Sequence, residues 1–389
     1  MTSASSLAPI SPEQISQLTD SSQWGQPSPA PILSARFKQS AADFQVDELL
    51  EVELSGEGEH LWLLIKKTGM NTSFVADQLA KWAKIPSRDV GYSGLKDRQA
   101  VTTQWFSLRI PKGELPSASF DEFMMANLSS ELESVQVLEQ AWHSKKLNRG
   151  THKANHFKIH LRDIQVGNDT NIDTTKIDAA LNIMATNGVP NYFGEQRFGR
   201  QGNNIASALE WFEQGTINGR KPHPKKSRDL QSLLLSSARS AIFNQIVSAR
   251  VEQDSWDKAL EGDVFNLNGS GSVFTVEQID QEIQDRLASG DIHPTAPLWG
   301  IKNDKVDAAA KVLEQQIVEQ NPILQRLAQG LEKKELKTMR RATRLPVSNL
   351  SWAWPDEQSL LLQFTLPTGT FATSVLSALV VNLRSLNLQ

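Results

Sequence analysis

The spacing of apolar and polar residues changes period several times along the chain. His60–Ile65 is an unbroken apolar run and predicts a buried strand. Asn71 or Thr72 can cap a helix whose Phe74, Val75, Leu79 and Trp82 face one way. Val101–Ile110 is rich in β-branched and aromatic residues, as a strand would be. Between His156 and Leu161 the alternation is strict, with Phe157, Ile159 and Leu161 on one face and His156, Lys158 and His160 on the other. A helix is predicted from about Thr174, with Gly188 as its terminator. Beyond Gly188 the pattern turns helical. A long helix over Leu230–Val251 rests on Leu233, Leu234, Ala241, Ile242 and Ile246. A short hairpin over Gly262–Val276 follows, then helices over Lys305–Glu319 and Pro322–Lys337. Strand pattern returns at Leu350–Trp354 and Ser359–Leu366, and Thr373–Leu383 is predicted to close the chain as a helix. Strands, then helices, then strands predict one α+β domain interrupted by a mostly helical α+β insertion.

Composition narrows the chemistry. A chain of 389 residues is long enough for two or three domains, each with a core. Without cysteine there can be no disulfide, thiolate zinc site, cysteine-ligated cluster or thiol nucleophile. Residues 1–30 hold no Lys or Arg and are rich in Ser and Pro. They are expected to form a mostly flexible extension with a short helix near Glu13–Leu18. They lack the basic start and apolar run of a secretory signal and the Arg of a transit peptide, so a cytoplasmic location is expected. Gly194 and Gly199 have phosphate-loop spacing, but Arg200-Gln201 stands where Lys-Ser/Thr is needed. His152, His156 and His160 would line up as metal ligands on a helix but fall on or near a predicted strand. Neither a metal nor a cofactor is expected.

The net charge of −4 argues against a nucleic-acid partner until its distribution is seen. The windows His143–Arg162, Ile217–Arg228 and Lys333–Arg344 together hold seventeen basic residues against a single acid, Glu335. The rest of the chain is correspondingly acidic. One such window reads as a solvated surface; three together suit contacts to a polyanion's phosphates.

The sharpest local pattern is Gly91-Tyr92-Ser93-Gly94-Leu95-Lys96-Asp97-Arg98. Two glycines allow a tight loop, and Asp97 sits between two cations that would keep its carboxylate ionised. On these eight residues alone, a turn aspartate satisfied by Lys96 or Arg98 is the plainer account. The surroundings add more. Gly91–Asp97 followed by Ala100-Val-Thr-x-Gln-Trp-Phe106 resembles the active-site region of TruD-type tRNA pseudouridine synthases. So do Lys38 followed by Asp43-Phe44, the run Gly56-Glu-Gly-Glu-His60, Asn71-Thr72, Lys145-Lys146-Leu147, and Lys153-Ala-Asn-His-Phe157. Gly188–Gly199 is similar to the start of the insertion domain that marks the family, and Arg239–Gln245 and Leu366–Ser374 match as well. The resemblance runs in order from about residue 31 to 380. One departure is Ala154, where the family pattern has Gly.

The resemblance implies a pseudouridine-synthase-like catalytic domain with a mixed, largely antiparallel sheet, built from residues 31–187 and 346–389. Residues 188–345 would be the insertion domain, and tRNA would lie in the cleft between the two. It implies isomerisation of uridine to pseudouridine in tRNA, at position 13, on a flipped-out nucleotide, with no cofactor. Asp97 and Lys38 would be the catalytic pair, and Phe44, Asn155, Phe157 and Phe371 would bind the base. Phe in the stacking role suits a chain whose only tyrosines are Tyr92 and Tyr192. A non-catalytic RNA-binding or RNA-chaperone protein on the same fold is the alternative. A base methyltransferase would need a cofactor loop and, for C5 chemistry, a cysteine. No obligate protein partner is indicated, and a monomer is expected.

Overall fold

The computed structural model describes residues 10–128, 130, 132–167, 172–223, 226–301 and 305–385. These divide into two compact units. One comprises the chain up to Ala30 with Thr186–Pro346 and Thr373–Leu379; the other comprises Pro31–Ala185, Val347–Ala372 and the chain from Val380 onward.

The second unit is built on a sheet of ten strands among the described residues. They are β1 (Ile32–Phe37), β2 (Phe44–Leu49), β3 (His60–Thr68), β4 (Val90–Tyr92), β5 (Val101–Arg109), β6 (Ser134–His143), β7 (Ala154–Gln165), and the later strands Ser348–Asp356, Ser359–Pro367 and Val380–Ser385. The main path runs Ser348–Asp356, Ser359–Pro367, β7, β2, β5, β3, β6; β1 pairs with β7 and with Val380–Ser385, and β4 with β5. The β2–β5 and β1–Val380 pairings are parallel and the others antiparallel, so the sheet is mixed and largely antiparallel, as expected. The alternation in β7 has the predicted result: Phe157, Ile159 and Leu161 are buried.

On β3 the residues Leu61, Leu63 and Ile65 share a face with Phe106 and Leu108 of β5. The helix Thr72–Trp82 covers that face with Val75, Leu79 and Trp82. Each large side chain so buried contributes roughly 1.5–3 kcal/mol. Thr72 ties this helix to the sheet, its hydroxyl donating to Gln104 Oε1 at 2.8 Å.

The first unit centres on the helix Arg228–Glu252, which buries Leu234, Ala238, Ala241, Ile242, Phe243 and Ile246. It packs with the helices Asn203–Gln214 and Pro322–Lys333 and beside an antiparallel sheet in the order Val273–Thr275, Val264–Leu267, Ile292–Leu298, Met339–Ala342. Gly188, at φ +70°, ends the helix Thr174–Asn187; a Cβ there would lie 2.3 Å from Leu345 O. The stretches 188–199 and 239–245 hold each other: Asn244 accepts from Phe193 N at 2.9 Å and donates to Phe193 O at 2.8 Å.

Three expectations need correction. Residues 10–30 are built into the first unit rather than trailing from it, while residues 1–9 lie outside the described chain. The helix Pro12–Thr19 carries a Ser11/Gln14 capping box and buries Ile15 and Leu18. Trp24 packs 5.2 Å from Tyr192 and 6.2 Å from Phe198, and Tyr192 donates to Gly25 O at 2.7 Å. Low charge and Ser/Pro content suggested flexibility; one tryptophan and two aliphatic residues outweigh them. The final helix spans only Ala372–Leu379, and Val380–Ser385 is a strand, because the β-branched pair Val380-Val381 meets the open edge of β1. The helix from Pro322 stops at Lys333 rather than Lys337.

Candidate active site

All of the site lies within the sheet unit. The loop carrying Asp97 follows β4 and is held from several sides. At Gly91 the backbone of Leu147 comes so close that a Cβ would sit 2.3 Å from its carbonyl oxygen, which only glycine permits. Gln104 donates to Gly94 O at 3.0 Å, and Lys96 N donates to Thr72 Oγ1 at 2.9 Å. Asp97 therefore stands on a braced loop with its side chain 36% exposed.

Both carboxylate oxygens of Asp97 are engaged. Gln99 N donates to Oδ1 at 2.9 Å, and the Lys38 ammonium donates to Oδ2. Lys38 follows directly on β1 with a left-handed backbone, φ +56°. Lys67, fully buried on β3, donates to Met70 O at 2.6 Å and to the Asp97 backbone carbonyl at 3.2 Å. Burial alone would raise the Asp97 pKa. The hydrogen bond and charge of Lys38, the Gln99 N–H and the Lys67 charge outweigh it and hold the carboxyl below its ordinary value. Burial brings Lys67 itself down to about 8, against the pull of Asp97 and with the help of Lys96.

Phe44 lies beside this pair, its ring centre 4.2 Å from Lys38 Nζ, 6.1 Å from Phe157 and 6.3 Å from Phe37. Asp43 accounts for the Asp-Phe pairing. It is buried, it accepts from Ser40 N at 2.8 Å, and it receives Arg162 through two bonds of 3.0 and 2.8 Å. That anchors the turn from which Phe44 starts β2. Phe157 is buried and stacks on Phe364 at 5.5 Å, so much of its ring serves the core.

The two cations flanking Asp97 in sequence are not the ones that hold its carboxylate. Lys96 turns inward to Glu48, at 3.3 Å, and to Asn155 Oδ1, at 2.5 Å. Arg98 donates to Gly69 O at 3.0 Å. Asn155, near the start of β7, is thus joined to the Asp97 loop through Lys96. Phe371 is half-buried between the strand Ser359–Pro367 and the final helix. It stands three residues after Thr368, which is bound to His152 O at 2.6 Å and Lys153 O at 3.0 Å. The structure thus brings Lys38, Phe44, Asp97 and Phe157 into one cluster, with Asn155 linked to it. Sequence reasoning missed Lys67, Glu48 and His152.

An ionised, partly accessible carboxylate, paired with an ammonium that itself lies against an aromatic face, can act on an electron-poor carbon of a bound molecule. Among the described residues no group of three or more His, Asp or Glu is placed to hold a metal ion. None of their helices is long and apolar enough to cross a membrane.

The second and third basic windows differ. Arg220, Lys221, Lys226 and Arg228 are exposed, while Lys225 lies outside the described residues. In the third window Arg340 is paired with buried Glu314 at 2.7 Å, Arg341 lies 4.2 Å over Phe193, and Arg344 donates to the carbonyls of Thr186, Asn187 and Leu287. Half of that window's cations therefore serve the fold, while Lys333, Lys334 and Lys337 remain exposed.

Comparison with known proteins gives one consistent result. The family model for tRNA pseudouridine synthase D (TruD) matches residues 29–207 and 221–379. A tRNA pseudouridine synthase D from Psychrobacter arcticus is 50% identical over 396 residues, covering 96% of this chain and 97% of its own. A protein of the same name from Xanthomonas campestris pv. campestris (strain B100) is 46% identical over 354 residues, covering 89% and 91%. A crystal structure from Methanosarcina mazei, described as tRNA pseudouridine synthase D, superposes with a TM-score of 0.66 at 20% identity. It covers 91% of this chain and 95% of its own, and the likeness is one of fold.

Proposed function

The chain belongs to the tRNA pseudouridine synthase D family, and from that membership we propose that it isomerises uridine to pseudouridine in tRNA, at position 13, with Asp97 as the catalytic carboxylate. The observation that carries the assignment of Asp97 is its pairing with Lys38 beside the Phe44 ring.

The reaction breaks the C1′–N1 glycosidic bond, turns the uracil, and joins C1′ to C5. C5 loses a proton and N1 gains one, so atoms balance without any group from outside. Asp97 acts at the ribose as an ionised carboxylate, and Lys38 keeps it ionised while closing one side of the site. The uridine must first leave the stack, at a cost of roughly a few kcal/mol. Aromatic faces offset that cost. Phe44 and Phe371, both partly accessible, and the edge of Phe157 surround the base, and Asn155 hydrogen-bonds it. The exposed basic residues from Arg220 to Arg228 meet tRNA phosphates. The protein works in the cytoplasm as a monomer.

The test uses Asp97→Asn on a tRNA transcript. Wild type forms pseudouridine at position 13, and the variant forms none while still binding the tRNA. Full activity in the variant removes Asp97 from the mechanism. A wild type that forms no pseudouridine in any tRNA, and cellular tRNA whose pseudouridines are the same without the protein, favour the binding-only alternative.

A further inference from the structure

Four polar side chains next to Asp97 close into a ring. Glu48 Oε2 lies 3.3 Å from Lys96 Nζ. Lys96 Nζ donates to Asn155 Oδ1 at 2.5 Å, and Asn155 Nδ2 donates to His152 Nε2 at 3.4 Å. His152 Nδ1 faces Glu48 Oε2 again, across 3.9 Å. The side chains of Glu48, Lys96 and His152 are 0%, 6% and 6% exposed, whereas Asn155 is only half-buried. Glu48 Oε2 and His152 Nδ1, which face each other across that gap, are both buried without a hydrogen-bond partner. Glu48 Oε1 is fixed by Trp105 N at 3.3 Å.

Burying a carboxylate and an ammonium is costly, and apolar residues of the same size would hold the fold as well or better. The ring does something packing could not. A free asparagine amide can turn over and exchange its donor and acceptor ends. Here it cannot. Lys96 can only donate, so the end facing it must be Oδ1. Nδ2 must then face His152, whose Nε2 accepts and whose Nδ1 carries the hydrogen pointing at Glu48. The Lys96 bond imposes this sense, and Glu48, 3.9 Å from Nδ1, lies on the side of that hydrogen. Burial and the Lys96 charge keep the imidazole neutral, as this tautomer requires, against the pull of Glu48. The second N–H of Asn155 is left over, and Asn155 is the ring member that reaches the accessible side.

We propose that Glu48, Lys96 and His152 are positioning residues that lock Asn155 as a hydrogen-bond donor, so that the site takes uracil and refuses cytosine. The inference rests on the functional reading above, in which Asn155 meets the flipped base. At C4 uracil presents a carbonyl oxygen, which accepts from the locked N–H. Cytosine presents an amino group there, which leaves two donors facing each other. A site built around one fixed donor, covered once the base is bound, rejects the mismatched analogue strongly.

The test compares two double variants of the full-length protein, Glu48→Gln with Lys96→Gln and Glu48→Gln with Lys96→Met. Both remove the buried charges together and have side chains of equal length at position 96, but only glutamine can still donate to Asn155 Oδ1. On a tRNA transcript, kcat of the glutamine pair should exceed that of the methionine pair by about tenfold, with KM for tRNA equal within about twofold. Competition by a transcript carrying cytidine at the target should strengthen about tenfold, relative to the uridine transcript, in the methionine pair alone. His152→Leu, which keeps Lys96 but removes the acceptor for Nδ2, should weaken the same discrimination and serves if a double variant fails to fold. Equal kcat and equal discrimination in folded variants overturn the ring's role while leaving the function intact, as does a loss confined to KM. A wild type inactive on every tRNA overturns both readings.

Discussion

Lys38 reaches the carboxylate of Asp97 from a left-handed backbone position, φ +56°. For a residue with a side chain that conformation costs roughly 1–2 kcal/mol. It persists because the ammonium is bound at once by the carboxylate and by the Phe44 ring.

Removing the ammonium should therefore be felt in the pH profile. The Asp97 pKa lies below its ordinary value largely because Lys38 opposes burial. On the proposed function activity requires the ionised form, so in wild type the acid limb of kcat/KM is expected below the usual carboxylate range. In Lys38→Met burial is opposed only by Gln99 and Lys67, and the limb should move to higher pH, with kcat lower by roughly tenfold or more. A pH–rate profile of both proteins checks this; a limb that stays in place separates Lys38 from the ionisation of Asp97.

Lys67 predicts a stability effect of opposite form. Its folded-state pKa of about 8 is depressed from 10.5. Between those values the unfolded chain holds a proton that the folded chain has released, so this group's contribution rises with pH across the window. The stability of wild type relative to Lys67→Met should increase from about pH 8 to about pH 10.5. Urea unfolding of both proteins at several pH values measures it, and a flat difference refutes the assignment.

In the helical unit, Arg250 and Asp263 form a bidentate pair at 2.7 and 2.8 Å, with side chains 1% and 0% exposed. Arg250→Met strands the carboxylate and should destabilise by about 3–5 kcal/mol. Adding Asp263→Asn, which keeps an acceptor for Leu260 N at 2.7 Å, should recover much of the loss. Denaturant titration of both variants reads the difference.

The exposed basic residues should separate from the internal ones. Charge reversal at Arg220, Lys221 and Lys226 is expected to weaken tRNA binding and to flatten its salt dependence, by about 0.7–0.9 in slope for each phosphate no longer neutralised. Arg344→Gln should lower thermal stability, because three carbonyls lose their donor. Binding that is indifferent to the reversal places the tRNA elsewhere.

What could be read in advance depended on how locally it was encoded. The alternation through Phe157, Ile159 and Leu161 was enough to place β7, because a period of two leaves one face to bury. The same parity held Lys67, since Leu61, Leu63, Ile65 and Lys67 share a face of β3. It also held Glu48, two residues after buried Val46 on β2. Both escape a reading by pattern because a charged residue in an apolar register looks like the end of the run. The partner of Asp97 was not legible from its neighbours. Lys96 and Arg98 are adjacent in sequence, yet Glu48 and the Gly69 carbonyl draw them away, and Lys38 comes from a different strand. The helix expected to close the chain overruns its true end because Leu376, Leu379 and Leu383 keep a helical spacing, while the edge of β1 that captures Val380–Ser385 is a tertiary fact.

The chain passes between its two units at residues 30–31, 185–186, 346–347, 372–373 and 379–380. Strand β1 takes its parallel partner from Val380–Ser385, far along the chain. During synthesis, then, neither unit can complete itself from a finished stretch of nascent chain, and the edge of β1 stays open until Val380–Ser385 has been made. A fragment cut at 188 and 345 would lack both Trp24 and the helical stretch Thr373–Leu379, which belong to the same compact unit.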